Sequence, residues 1–377
     1  MLVSMKRLFV NLCGVLYRAL RPVLFLTNSE TIHEFLVNFG GVLGAIPPVR
    51  CLFYSLWVKE SPMLTQNVLG IEFKNPIGLA TGFDYKAKLT RILPFIGFGF
   101  GTVGTITQNP YEGNPRPMLG RLVKSRALLV NKGFKNDGID AVVKKFKNTE
   151  TFYPVGLSIG KTNSKETAAQ EAAIADIIAS FKKAEAANLP FAYYELNISC
   201  PNLFGNVSFY PPENLRELLE AVTALNPKKP MFIKMPITES DADVHKMLEV
   251  ITQFPVQGVI FGNLQKDRSH PDLLPEEVAL HGKGNFSGKP TEKRSNELIK
   301  LAYKTFGKKL VIIGCGGVFS AEDAYTKIKS GASLVQLITG LIFMGPQLAA
   351  QINLELPRLL EKDGFKNISE AIGADIK

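Results

Sequence analysis

The sequence predicts a (β/α)8 barrel, a closed ring of eight parallel strands with helices outside, preceded by an N-terminal helical extension. Two observations favour this fold. From about residue 76 onward, eight short apolar or β-rich runs alternate with longer segments of helical periodicity. Small, polar and basic residues follow these runs, at the carboxyl ends of strands where the active site of such a barrel lies.

The N-terminal region is expected to form a separate, strongly apolar helical unit over residues 1–60, with the barrel covering 61–377. Four basic residues flank its first apolar runs: Lys6, Arg7, Arg18 and Arg21. The uncharged run 8–17 is too short to span a bilayer. An amphipathic helix on an anionic membrane surface is therefore favoured over a helix that only packs on its own domain.

The pattern predicts further helices before the barrel begins. Thr31 and Glu34 have the spacing of a capping box, so Thr31 is expected to cap the second helix. Pro47 and Pro48 interrupt the periodicity, which resumes over residues 49–58.

Eight strands and their intervening helices account for most of the remaining chain. The predicted strands are residues 77–80, 98–104, 155–159, 193–198, 231–234, 258–261, 310–313 and 334–338. The main predicted helices are residues 166–187, 213–225, 241–253, 292–306 and 320–330. An open doubly wound sheet is the rival fold, but it seldom needs eight strands, and no G-x-G-x-x-G sequence follows the first one.

Bulk composition excludes several classes of function. The 377 residues are 46% hydrophobic and 21% charged, which is ordinary for a globular protein. The net charge is +10 without any block of five basic residues, so no nucleic-acid partner is expected. The four cysteines show no C-x-x-C spacing, so no metal is expected, and a reducing compartment facing the cytoplasm fits best.

Glycines after the last two barrel strands suggest a phosphate site. Residues 314–317 contain three glycines, and Thr339-Gly340 follows the final strand. Backbone amides can approach a phosphate closely at glycines, and these two strands form the usual phosphate cradle of such barrels. Lys234 ends an apolar strand and needs a negative partner, such as a flavin ring that gains charge on reduction.

The strongest local indication of a catalytic site is the segment 195–202, in which a thiol lies between two amide side chains. Asn197 and Asn202 can each donate and accept hydrogen bonds, which suits an imide such as a pyrimidine. Cys200 lies between them and could act as a base or a nucleophile near cations. The other cysteines, Cys13, Cys51 and Cys315, lack such polar neighbours and are expected to be structural.

Several segments together resemble dihydroorotate dehydrogenases in order and spacing. They are residues 75–84, 113–117, 197–202, 286–290, 313–317 and 331–336. The apolar N-terminus, with His33-Glu34-Phe35, resembles the membrane-associated, quinone-linked class of that family.

The resemblance implies oxidation of dihydroorotate to orotate with FMN, in which a base takes the C5 proton and the C6 hydride passes to flavin N5. It implies that Cys200 is the base. It implies a substrate site made by Asn131, Gly133, Phe134, Asn197, Asn202 and Asn263. It implies an FMN site made by Ala80, Thr81, Gly82, Thr105, Ser158, Asn197, Lys234, Gly262, Gly288, Gly316, Gly317, Thr339 and Gly340.

The chain departs from the quinone-linked pattern at several positions. Cys200 stands where that class has serine, as in the soluble class. Tyr85 replaces a lysine on the substrate side, and either Lys86 or Lys132 is a candidate to replace its charge. The substrate loop that begins at Asn131 is displaced by one residue relative to the pattern of the family. Ser158 replaces a flavin-facing asparagine.

A further departure concerns the electron acceptor, because Ile338 stands where the quinone-linked class has a tyrosine near the quinone tunnel.

The expected function is oxidation of dihydroorotate in pyrimidine biosynthesis, with electrons passed to quinone. The protein is expected to be peripheral, on the cytoplasmic side of the membrane. A soluble acceptor, namely fumarate or an electron-transfer subunit, is one alternative. A flavin-binding scaffold without catalysis is another.

Overall fold

The computed structural model describes residues 2–147, 149–205 and 207–376. The chain starts with three helices: α1 (Leu2–Leu26), α2 (Ser29–Ala45) and α3 (Pro47–Trp57). Thr31, the expected cap of α2, lies inside the helix. The cap is instead Asn28, whose side chain accepts hydrogen bonds from the backbone N–H groups of residues 30 and 31. Asparagine is among the residues that cap helices best.

The eight predicted strands form one closed parallel barrel, which confirms the predicted fold. They are β3 (Ile77–Leu79), β4 (Phe100–Ile106), β7 (Val155–Ile159), β8 (Tyr193–Asn197), β9 (Met231–Met235), β10 (Gly258–Phe261), β12 (Val311–Cys315) and β13 (Leu334–Leu337). Each strand pairs with the next one along the chain, and β13 closes the ring on β3.

Helices cover the outside of the barrel, with the five main predicted ones present. They are α4 (Ile139–Phe146), α5 (Gln170–Ala186), α6 (Pro212–Thr223), α7 (Asp241–Ile251), α8 (Pro275–Ala279), α9 (Glu292–Phe306), α10 (Ala321–Lys329), α11 (Thr339–Met344), α12 (Leu348–Lys362) and α13 (Ile368–Ala371). The largest hydrophobic cluster lies between this helical layer and the barrel strands.

Two small sheets outside the barrel were not predicted. A hairpin of β1 (Gln66–Val68) and β2 (Ile71–Phe73) closes the amino end of the barrel, where Phe73 packs edge-on against Phe100. A three-stranded antiparallel sheet joins β5 (Leu119–Leu122) and β6 (Ala127–Val130) to β11 (Asn285–Gly288). Its strands are four residues long and come from two loops distant in sequence, so no local periodicity indicates their pairing.

Helix α1 is fixed to the rest of the molecule along its length. The Lys6 ammonium donates to Val58 O (2.8 Å), and Arg7 pairs with Glu355. Further along, the Tyr17 hydroxyl donates to Ile342 O (2.6 Å) and Arg21 to Phe343 O (2.9 Å). Three of the four basic residues expected to face anionic lipid are therefore used to hold the helix to the protein, and Arg18 remains exposed.

The apolar part of α1 is longer than the uncharged run 8–17, from which its length was judged too short to span a bilayer. By length and composition alone, Met5–Leu26 is long and apolar enough to cross a membrane. Large apolar side chains form an exposed stripe along the helix, most of them three or four residues apart: Leu8, Leu12, Val15, Leu16, Leu20, Val23 and Leu26. Helix α2 carries a similar exposed stripe, formed by Phe35, Phe39, Val42 and, just beyond its end, Ile46.

Candidate active site

A large cavity lies at the carboxyl ends of the barrel strands. It encloses about 1140 Å³ of space between the surrounding atoms, counting the part open to solvent. The strand ends form its floor. The sheet of β5, β6 and β11 covers it, and α2 contributes His33 to the wall.

Nearly all of the predicted site residues line this cavity. They are Ala80, Thr81, Gly82, Thr105, Gly133, Phe134, Asn197, Cys200, Asn202, Lys234, Gly262, Asn263, Gly288, Gly316, Gly317, Thr339 and Gly340. Most of them come together because parallel strands in a barrel direct their carboxyl ends to one face. Gly133, Phe134 and Gly288 come instead from the small sheet of β6 and β11 and the loop after β6.

Two predicted residues lie behind the cavity wall instead. Ser158 is fully buried in the barrel interior, where its hydroxyl lies 3.0 Å from Thr105 Oγ1 and donates to Glu195 Oε1 at 2.7 Å. The Asn131 side chain accepts a hydrogen bond from Asn114 Nδ2 (3.0 Å). The geometry places both residues where they support residues that line the cavity.

The glycine-rich end of the cavity has the features of a phosphate site. Gly316 and Gly317 both have positive φ values, +100° and +69°. A side chain at either position would collide with its neighbours, since a Cβ on Gly316 would come within 2.6 Å of Thr291 Oγ1. At the end of the adjacent strand β13, none of the described side chains caps the start of α11 at Thr339, so its first N–H groups are available to an anion.

Lys234 provides a cation on the cavity floor. The residue is only 4% exposed, and none of the hydrogen bonds and ion pairs between described residues includes its ammonium group. A buried cation without a partner is costly, which makes this position suited to a ligand that carries or gains negative charge.

Cys200 lies between the main cavity and a second one. The second cavity opens beside the segment 201–210, and both cavities are lined by Asn197 and Cys200. Burial raises the pKa of the Cys200 thiol to about 12, against the lowering effects of the Asn202 backbone N–H and the Lys161 charge. The thiol is therefore mostly protonated at neutral pH until a further cation or ligand stabilises its ionised form.

A network of asparagine side chains holds the segment that carries Cys200, and sequence reasoning missed its centre. Asn114 Nδ2 donates to Asn202 O at 2.9 Å, while Asn114 Oδ1 accepts from Asn163 Nδ2 at 3.0 Å. Asn285 Nδ2 donates to Asn202 Oδ1 at 2.7 Å. Asn114 lies within the segment 113–117 that carries the family resemblance, which was the available signal for its importance.

The structure distinguishes between the two candidate lysines near Tyr85. Lys132 lines the main cavity, and its ammonium lies 4.5 Å from the centre of the Tyr85 ring. Burial lowers the pKa of Lys132 to about 7, and the nearby charge of Lys135 acts in the same direction. Lys86 lies outside this cavity and pairs with Asp137 at 2.9 Å.

Part of the cavity wall is apolar and lies next to the N-terminal helices. Its walls include Leu119, Leu128, Val130, Ile338 and Ile342. Burial lowers the pKa of the neighbouring His33 well below its usual range, and the charge of Lys132 acts in the same direction. The imidazole of His33 is therefore neutral at physiological pH.

The comparisons with known proteins agree with this arrangement. The family described as "Dihydroorotate dehydrogenase" matches residues 63–360. A "Dihydroorotate dehydrogenase (quinone)" from Mycolicibacterium smegmatis is 35% identical over 96% of this chain and 100% of its own length. One from Trichodesmium erythraeum is 37% identical over 95% and 98%.

A solved structure of similar fold extends the agreement to three dimensions. A crystal structure of DHODH from Eimeria tenella in complex with ferulenol superposes with a TM-score of 0.82 and 27% identity, covering 93% of this chain and 96% of that one. The sequence matches and the shared fold lead to one conclusion: the chain belongs to the dihydroorotate dehydrogenase family.

Proposed function

We propose that the protein oxidises dihydroorotate to orotate in pyrimidine biosynthesis and passes the electrons to a membrane quinone. One observation carries this proposal. A single cavity brings Cys200 and the glycine-rich strand ends together with an apolar wall that lies next to helices with exposed apolar faces. The polar part suits a charged pyrimidine and the apolar wall suits a lipid-soluble acceptor.

The cofactor of this reaction is FMN, and the chain fits it. Backbone N–H groups at Gly316, Gly317 and Gly340 would hold the phosphate, and Lys234 would lie against the ring system. Thr105 and Asn197, which are joined by a hydrogen bond of 2.8 Å, lie on the floor beside Lys234. Bound FMN supplies a two-electron acceptor for the hydride that leaves C6 of the substrate.

The chain's own residues handle the substrate and its proton. Cys200 takes the C5 proton as a thiolate. Five further proposed substrate residues line the same cavity: Gly133, Phe134, Asn197, Asn202 and Asn263. Asn131 would act from behind the wall, through its hydrogen bond with Asn114. Asn197 and Asn202 already accept hydrogen bonds inside the protein, from Ser199 and Asn285, and so present a fixed geometry to a bound pyrimidine.

Lys132 supplies the cation that recognises the carboxylate of the substrate. We expect Lys132→Met to raise the KM for dihydroorotate roughly 10- to 100-fold, because a hydrogen bond to a charged group contributes about 1.5–3 kcal/mol. Since burial lowers the pKa of Lys132 to about 7, its charge is lost as the pH rises through that value. Substrate affinity of the wild type should therefore weaken above neutral pH, as steady-state kinetics across pH will show.

Two variants control this prediction. Lys132→Arg keeps its charge at alkaline pH and should remove most of the weakening above pH 7. Lys86→Met changes a lysine that pairs with Asp137 outside the cavity and should leave KM unchanged. A KM that is insensitive to Lys132→Met, or more sensitive to Lys86→Met, would transfer the carboxylate site to another residue.

We further propose that residues 1–60 form a membrane- and quinone-facing region and that residues 61–377 form the FMN-binding barrel. The exposed apolar stripes of α1 and α2 support attachment to a lipid surface. The bonds that hold α1 to the barrel along its length favour a peripheral position over a crossing helix. The reducing environment expected from the cysteines favours the cytoplasmic side.

An acceptor panel with the purified protein tests the function. Yellow protein that oxidises dihydroorotate fastest with a long-chain quinone is the expected result. Faster turnover with fumarate or with an electron-transfer subunit would replace the quinone by a soluble acceptor. Yellow but inert protein would mean a flavin-binding scaffold, and colourless protein would contradict FMN binding.

A further inference from the structure

Beneath the cavity, the barrel interior contains a carboxyl group that the proposed reaction does not use. Glu195 lies on β8, two residues before Asn197, and is fully buried. Ser158 Oγ donates to its Oε1 at 2.7 Å. Its Oε2 has no hydrogen-bond partner among the described residues. Burial raises the pKa of Glu195, against the lowering effects of Lys234 and the Ser158 hydroxyl.

Lys234 is the cation that faces Glu195. On the neighbouring strand β9, Lys234 is in register with Asn197, so its side chain lies on the same inner face as Glu195, one layer nearer the cavity. Lys234 lies close enough to lower the pKa of Glu195, yet no ion pair within 4.0 Å joins them in the described structure. Among the described residues, Tyr193 and Cys315 also lie near Glu195, and burial raises the pKa of both, which keeps them neutral.

We propose that Glu195 is a positioning residue that balances the charge of Lys234 and takes up one proton when the cofactor above Lys234 gains negative charge. This inference rests on the proposed binding of FMN. At a pH above the raised pKa of Glu195, its carboxylate balances the charge of Lys234 while the cofactor is oxidised. After reduction, Glu195 is neutral and Lys234 is left as the single positive partner of the added negative charge. The proton comes from solvent.

The physical basis is repulsion between like charges in a buried site. Negative charge gained near a carboxylate disfavours its ionised form and raises its pKa further. A chain of hydroxyl groups connects Glu195 to the cavity: Ser158 Oγ lies 3.0 Å from Thr105 Oγ1, which accepts from Asn197 Nδ2 at 2.8 Å. Hydroxyls can both donate and accept, so the two linked hydroxyl groups can transfer a proton between Glu195 and the cavity edge.

The test is the pH dependence of the midpoint potential of the bound flavin, measured in the holoenzyme by photochemical reduction against a reference dye. For a two-electron couple, each proton taken up contributes about 30 mV per pH unit. We expect the potential of the wild type to fall more steeply with pH than that of Glu195→Gln, by about 30 mV per pH unit over the range in which Glu195 protonates. Equal slopes in the two proteins would overturn the proposal.

A second measurement does not depend on the variant folding. Infrared difference spectra of the wild type on reduction should show the C=O band of a newly protonated carboxyl group, and its absence would overturn the proposal. The control Ser158→Ala keeps the carboxyl group and should keep the steeper slope, moved to higher pH. Since light drives the reduction, an enzyme that binds flavin but fails to oxidise dihydroorotate would still give a clear result for Glu195.

Discussion

Replacing Cys200 by alanine is expected to lower kcat by about 10²- to 10⁴-fold, the usual contribution of a general base. Flavin content and thermal stability should stay close to wild type, because Cys200 lies at a cavity edge and the asparagine network that holds its segment acts through other residues. Steady-state assays with dihydroorotate, combined with flavin absorbance, check both parts.

The pH profile separates a basic role of Cys200 from a packing role. Burial raises the pKa of its thiol to about 12, so the thiolate fraction, and with it kcat, should increase as pH rises through the neutral and alkaline range. In Cys200→Ser the hydroxyl is far less acidic, and the same rise should occur at higher pH. Cys51→Ala changes an exposed cysteine and is the matched control. Full activity of Cys200→Ala across pH would remove Cys200 from the mechanism.

Introducing charge on the exposed stripes of α1 and α2 is expected to abolish membrane attachment without unfolding the protein. Leu12, Leu16 and Phe39 are each at least 51% exposed, so glutamate at these positions removes no core packing. Burial of one such side chain in lipid contributes about 1.5–3 kcal/mol. The triple variant should therefore bind liposomes at least about 100-fold more weakly in a sedimentation assay.

The same variant should lose activity with one acceptor only. Its rate with long-chain quinone in liposomes should fall in parallel with binding, while its rate with a water-soluble dye stays at the wild-type level. Leu69→Glu, on the hairpin at the opposite end of the barrel, alters another exposed leucine and should change neither. Unchanged liposome binding of the triple variant would show that the stripes are not the membrane contact.

The barrel could be predicted because each of its strands is a local feature. Runs such as 155–159 and 258–261 are short, apolar and followed by glycine or polar residues, and repetition of this unit eight times leaves few alternative folds. The sheet of β5, β6 and β11 could not be predicted, because it pairs segments more than 150 residues apart. The N-cap of α2 was assigned to Thr31 because Thr31 and Glu34 have the spacing of a capping box, whereas Asn28 has no such partner in the sequence.

Site residues could be predicted where their position at the end of a barrel strand is enough to place them in the cavity. Cys200 and Lys234 follow this rule, since both lie at strand ends that line the cavity. Ser158 lies behind the wall because its strand position places it one layer deeper, with Glu195. Asn114 was missed because its role depends on hydrogen bonds to residues from other loops, and spacing along the chain carries no information about such contacts.

The two cavities that meet at Cys200 have a consequence for how the enzyme responds to its surroundings. One opens beside the segment 201–210 and the other has an apolar wall near α2. Under the proposed function, the pyrimidine arrives from bulk water, so its concentration per unit volume determines how often it binds. The acceptor arrives from lipid, so its density per unit area of membrane determines how often it binds. The two cavities give these molecules different openings, so under that function the rate depends separately on the concentration of the pyrimidine in water and on the density of the acceptor in lipid.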